Sequence, residues 1–128
     1  MAALTHLDTH VALWAVNPDE HDRLSNVATT ALESDTLRVS PMVRLELAYL
    51  HETGRITAAP GAVLQRARRV FGVADAEDAF GDVIEQAQAM TWTRDPFDRI
   101  IAAHAVAAGA RLLTRDETIR DNLDIAVW

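Results

Sequence analysis

The 128-residue chain contains no cysteine. Disulfide staples, thiolate metal sites and thiol nucleophiles are therefore excluded. Lysine is missing as well: all twelve basic residues are arginine. With so much alanine, this fits a bias in base composition, but any side-chain contact to phosphate must then use the planar guanidinium fork. No stretch approaches ~20 consecutive apolar residues, so no membrane-spanning helix is expected. The opening MAALTHLDTH has neither the basic start nor the apolar run of a secretory signal, and a cytoplasmic address is expected. Aromatics are few, and Trp14, Trp92 and Trp128 read as packing residues, Trp92 being the one considered for stacking on an unpaired base. A net charge of −7 argues against holding nucleic acid by a general positive field. It leaves open an enzyme that meets its substrate through metal ions, because such a site needs excess carboxylate.

Apolar residues make up 49% of the chain. That is enough for a core in a single domain spanning residues 1–128, which at this size hides roughly two-thirds of the unfolded surface. Short apolar strands alternate with helices. Strands are expected at 3–7, 37–40, 70–73, 111–114 and 125–127. Helices are expected at 10–16, 21–33, 41–52, 60–69, 75–90, 96–108 and 117–122. Pro41 and Pro96 open helices as first-turn residues, Asp95 caps the second of these, and Gly54 and Gly109 close them. Such alternation implies a parallel sheet with helices on its faces.

Four acids fall where acids need explaining. Asp8 directly follows the first strand, and Asp116 follows a later one. Open parallel sheets bind ligands beyond the carboxyl ends of their strands, although aspartate at a strand-to-helix turn is also an ordinary cap. Glu46 shares a helix face with Met42, Val43, Tyr49 and Leu50, where a carboxylate must be paired, protonated or metal-bound. Asp98 precedes Ile101, Ala102 and Ala105 on an apolar helix; with Asp95 serving as the cap, Asp98 is free to point into a site, and a first-turn acid favoured by the helix dipole is the competing reading. Four acids at one sheet edge repel one another unless a cation sits among them. Mg²⁺ or Mn²⁺ fits, since hard cations take oxygen ligands.

Other candidates carry less. His6 and His10 are four apart but fall on a strand and a helix, so they do not share a helical face. His21 and His51 read as surface residues, and His104 as a satisfied core residue. Ser40 reads as a turn hydroxyl before Pro41. Arg66, Arg68 and Arg69 read as a solvated helix face. Arg94, Arg99 and Arg115 each lie close in sequence to a proposed site acid and are candidates to orient phosphates or to neutralise the acids.

The segments LDTHVALWA, VSPMVRLELA, RDPFDRIIAAHA and LLTRDETI together resemble PIN-domain proteins, and among them the VapC-type toxins of bacterial toxin–antitoxin pairs. The likeness spans nearly the whole chain. It implies a three-layer sandwich around a parallel sheet of four or five strands. It also implies Mg²⁺- or Mn²⁺-dependent endoribonuclease activity, a homodimer, and a cognate antitoxin. Under it, Asp8, Glu46, Asp98 and Asp116 take the places of the family's four acids, with Asp8 and Asp98 at the pair credited with direct metal ligation. Asp95 competes for the third place, and Thr9 and Thr114 match polar positions beside the acids.

The readings in competition are a nuclease, a PIN-like module that binds RNA or protein without chemistry, and a metal-dependent phosphatase or receiver-type domain. The receiver reading wants a lysine near the acids, and there is none. An antitoxin peptide bearing an arginine or lysine would suit the acidic cluster, since a guanidinium can satisfy several carboxylates and compete with metal. The dimer surface is expected around Leu45, Leu47, Leu50 and the helix near Leu64.

Overall fold

The strands of the sheet are short, and the first, second and fourth are each followed by a side chain that starts the next helix. In the computed structural model, which describes residues 2–128, the order is β1 (Leu4–Leu7), α1 (Thr9–Val16), a 3-10 turn (Pro18–Arg23), α2 (Asn26–Ser34), β2 (Thr36–Val39), α3 (Pro41–Glu52), α4 (Pro60–Phe71), β3 (Ala74–Asp75), α5 (Phe80–Gln88), α6 (Pro96–Ala107), β4 (Arg111–Leu113), α7 (Glu117–Asn122) and β5 (Ala126–Val127). Asp8 caps α1, Ser40 caps α3, Asp95 caps α6 and Asp116 caps α7. All five strands run parallel in the order β3-β2-β1-β4-β5. The chain builds outward from β1 to β3, then returns to β1's other side for β4 and β5. The β1–β4 seam is thus the switch point of the sheet, where open α/β folds form their ligand crevice.

The core collects Leu7, Leu37 and Val39 of the strands, Val43 and Leu47 of α3, Ile101 and Ala105 of α6, and Leu112 and Leu113 of β4. At the amino-terminal edge of the sheet, Asp35 is fully engaged: Arg111 donates to it across 2.6 Å and the Thr5 hydroxyl across 2.7 Å. A polar group also lies within the core. The Ser40 hydroxyl and His104 Nδ1 are 2.9 Å apart, and His104 Nε2 lies 3.1 Å from Asp78. His6 meets His104 edge-on at 5.4 Å, and neither of its own ring nitrogens has a hydrogen-bond partner.

Three expected elements differ. The strand placed at 70–73 is displaced, because α4 runs on through Phe71 and is closed by Gly72 at φ 69, so pairing with β2 begins at Ala74. The helix placed at 21–33 is two pieces. Asn17 and Pro18 open a 3-10 turn, and a second cap, Ser25 accepting from the Ala28 N–H, begins α2. The helix expected from residue 75 begins only at Phe80, because Asp75 is spent on β3 and Asp78 on His104. Among residues expected at a dimer surface, Leu45 is exposed, whereas Leu47 and Leu50 are buried in the monomer's own core. No helix among the described residues is long and apolar enough to cross a membrane.

Candidate functional site: an acidic cleft at the sheet switch point

A cleft of about 520 Å³ opens at the carboxyl-terminal edge of β1 and β4, and Asp8, Glu46, Asp98 and Asp116 all line it. They arrive on four different segments. Asp8 ends β1, where its N–H donates to the Leu113 carbonyl at 3.1 Å and so locks the β1–β4 seam. Asp116 follows β4 by a short turn. Glu46 comes from the second turn of α3, and Asp98 from the first turn of α6. Asp95 joins them at the rim while capping α6, accepting from the Phe97 and Asp98 N–H groups.

Three of the four acids are fixed by hydrogen bonds. Asp8 accepts from the Thr9 N–H at 2.8 Å and from the Thr114 hydroxyl at 2.6 Å. The Thr9 hydroxyl donates to Glu46, so one residue serves two carboxylates. Asp116 accepts from the Ile119 N–H at 2.9 Å. Thr9 and Thr114 are both wholly buried, which holds their hydroxyls in place.

Burial without an ion pair sets these acids apart. Glu20, Asp35, Asp75 and Asp78 each have a basic partner, whereas none of Asp8, Glu46, Asp98 and Asp116 has one among the described residues. The cost appears in their acidities. Burial, outweighing the hydrogen bonds from Thr114 and Thr9, raises Asp8 above the usual carboxylate range. Burial raises Glu46 in the same way, with Asp8 and Asp95 adding repulsion. Asp98 is pushed up to about 7, first by burial and then by repulsion from Asp8, Asp95, Asp116 and Glu46. Among the described residues, no three acid or histidine side chains converge closely enough to form a ready-made metal cage. The acids instead line the cleft walls, Asp8, Glu46 and Asp116 each held by its own donors and Asp98 without one among the described residues. This arrangement suits a hard cation that takes one or two carboxylates directly and keeps several waters, as Mg²⁺ does.

The arginines divide differently from expectation. Arg115 lines the cleft, but Arg99 does not. Its Nε donates to the Ala87 carbonyl at 2.8 Å and its Nη2 to that of Gln88 at 3.3 Å, so it fastens the end of α5 to α6. Arg94 is also outside the lining. Trp92 packs against the core rather than facing the cleft. Among the lining residues, His10 is set aside from sequence, Trp14 reads as packing and Arg55 is not considered. Arg55 had one faint signal, the Gly54 that ends α3. With φ at 74 this glycine turns the chain back, the Arg55 N–H returning to the Leu50 carbonyl at 2.9 Å, and the side chain reaches the cleft.

A five-stranded parallel sheet flanked by helices, with an unpaired carboxylate cluster at its switch point, defines the class of α/β protein. Within that class the chain belongs to the PIN-domain family, whose model matches residues 6–122. It is 34% identical over 131 residues to Ribonuclease VapC22 of Mycobacterium tuberculosis, a match covering 95% of this chain and 96% of the relative. Its fold is similar to that of VapBC2 from Rickettsia felis bound to a promoter DNA fragment, with TM-score 0.63, 20% identity and 92% of each chain covered. It is also similar to a toxin–antitoxin complex from Klebsiella pneumoniae, with TM-score 0.62, 18% identity, and 99% and 97% of the two chains covered.

Proposed function

We propose that the protein is a Mg²⁺- or Mn²⁺-dependent endoribonuclease and the toxin of a toxin–antitoxin pair. The observation that carries this reading is the set of four carboxylates, gathered from four segments into one cleft with no basic partner. Burying uncompensated acids destabilises a fold, and such an arrangement persists where the cluster has work to do. Asp8 and Asp98, with Glu46 and Asp116, would hold the ion. When bound, a divalent ion supplies an activated water and neutralises charge on the phosphate under attack. Thr9 and Thr114 keep the carboxylates of Asp8 and Glu46 aimed into the cleft. Hydrolysis forms a bond from water oxygen to phosphorus, breaks the phosphorus–ribose oxygen bond, and leaves a proton on the departing oxygen. The relative's name, Ribonuclease VapC22, supports RNA as the substrate.

The same cluster suits an inhibitor. A basic side chain from an antitoxin would satisfy the acids and displace the ion, and the neighbouring folds come from toxin–antitoxin complexes. A second copy of the chain is expected to pack on the exposed apolar part of α3 around Leu45, which is 57% exposed. The test is incubation of the purified protein with total cellular RNA in Mg²⁺ or Mn²⁺. Cleavage that stops with a chelator and with Asp8→Asn is expected. Intact RNA under saturating Mn²⁺ would instead leave a binding module.

A further inference from the structure

The acidic cleft does not end at its acids. It is continuous with a second cavity of about 460 Å³, and the two share His10, Trp14, Arg55 and Ile56 as lining. Along this path the lining changes from a cluster of acids to arginines, with Glu20 as the one acid of the second cavity and already paired to Arg23. Arg115 lines the cleft, Arg55 lines both spaces, and Arg23 lines the second. Trp14 stands between them, half-buried, with the guanidinium groups of Arg115 and Arg23 each 5.9 Å from its ring centroid. Trp128 packs edge-on against it at 6.0 Å and His10 tilts toward it at 5.9 Å, so the indole is held in place. Arg23 is bonded to Glu20, but Arg55 and Arg115 have no carboxylate partner among the described residues. Arg115 thus stands over the indole without a carboxylate partner, and Arg55, equally unpaired, lines both spaces beside it.

We propose that this arginine-lined extension is a nucleotide subsite for single-stranded RNA. Arg55 and Arg115 bind the phosphate next to the one undergoing cleavage, and Trp14 forms the wall against which the neighbouring base rests. The inference builds on the nuclease reading and adds where the strand runs. Two opposite charges in sequence along one groove match a strand whose reacting phosphate needs a cation and whose next phosphate needs a guanidinium. A basic antitoxin peptide fits the acidic end, but its cations would meet repulsion here. The second cavity also has the volume of an ordinary small-ligand pocket.

The experiment follows anisotropy of a labelled short single-stranded RNA of mixed sequence in Mg²⁺, on an Asp98→Asn background that does not cut, across a salt series. Arg55 is exposed, so its replacement spares the fold. Arg55→Ala is expected to weaken binding and to reduce the steepness of log K against log salt by about 0.7, the value for one phosphate contact on a single strand. Trp14→Leu is expected to weaken binding roughly tenfold, and Trp14→Phe to restore most of it, a rescue that loss of fold would not give. With Asp98 intact, the same changes raise KM much more than they lower kcat. Unchanged affinity and salt slope in Arg55→Ala, or binding by Arg55→Glu as tight as in the parent, overturns the subsite. If the Arg55 dependence holds while the parent enzyme cuts no RNA in Mn²⁺, the subsite stands and the nuclease reading falls.

Discussion

The Thr114 hydroxyl donates to Asp8 across 2.6 Å and at the same time accepts from the Asp116 N–H at 3.1 Å. One buried side chain thus ties together two acids of the cleft that are more than a hundred residues apart. Thr114→Val keeps the shape and removes both links. It leaves a buried Asp8 oxygen without its donor, which costs about 1–3 kcal/mol. Loss of such an orienting partner lowers metal affinity or activity by roughly 10- to 100-fold. We expect both effects, read by denaturant titration and by Mn²⁺-dependent cleavage. Full activity in Thr114→Val would mean that Asp8 needs no such alignment.

The carboxylates conflict with stability, and their neutral variants should expose that conflict. Asp8→Asn and Asp98→Asn are each expected to lower cleavage by at least about 100-fold, a loss of about 2.7 kcal/mol in transition-state stabilisation. In metal-free buffer at pH 8, Asp98→Asn should melt at or above the parent's temperature, because it removes the repulsion that Asp98 feels from four neighbouring acids. A variant that is inactive because it is unfolded would contradict this, and a melting curve beside the activity assay separates the two.

The sequence exposes the acids well and the arginines poorly, for one physical reason. Asp8 and Asp116 sit at strand-to-helix junctions, Asp95 caps α6 before Pro96, and Glu46 interrupts an apolar stripe, so each leaves a trace within a few residues. The first two also fix the ends of β1 and β4, as Ser40 and Pro41 fix that of β2. What Arg99 touches depends on how α5 packs against α6, and nothing near residue 99 encodes the Ala87 carbonyl. Arg55 comes to line the same cleft as Trp14 through a left-handed glycine that turns the chain after α3. The same limit applies to the displaced β3: the apolar run ending at Val73 satisfies strand and helix patterns alike, and the partner β2 decides between them. Leu47 and Leu50 were expected at a surface because the periodicity of α3 marks an apolar stripe but not what covers it.

Metal binding should depend on pH, with a sign set by Asp98. Its carboxyl is raised from the ordinary 3.8 to about 7, so between those values the folded chain holds a proton that the unfolded chain has lost. The contribution of Asp98 to the stability of the metal-free protein therefore falls as pH rises from about 4 to about 7. Binding of a divalent ion must expel that proton. The apparent affinity for Mn²⁺, measured by calorimetry, is expected to rise with pH up to about 7 and then level off. Saturating Mn²⁺ should shift the acid limb of cleavage to lower pH. An affinity flat between pH 5 and 8 would remove Asp98 from the ion's ligands.

A last prediction concerns a buried group on β1, two residues before Asp8 and outside the cleft lining. His6 lies in the central strand, 1% exposed, with both ring nitrogens unpartnered. Burial lowers its pKa to about 4, with repulsion from His104 and Arg38 adding to the effect and the Asp78 carboxylate partly opposing it. Above its ordinary value of 6.5, His6 is neutral in both states and adds no pH dependence. Below 6.5 the unfolded chain takes up a proton that the folded chain refuses, and stability falls by about 1.4 kcal/mol per unit until pH nears 4. His6→Leu, similar in volume and without an N–H to satisfy, removes this term. It should also gain about 1–3 kcal/mol at neutral pH by deleting an unpaired buried donor. Urea titrations of parent and variant at pH 7.5 and pH 5 test both parts, because every other titrating group cancels in the difference. The gap between the two proteins should widen by about 2 kcal/mol at the lower pH; a constant gap would mean that His6 finds water or a partner in solution and titrates normally.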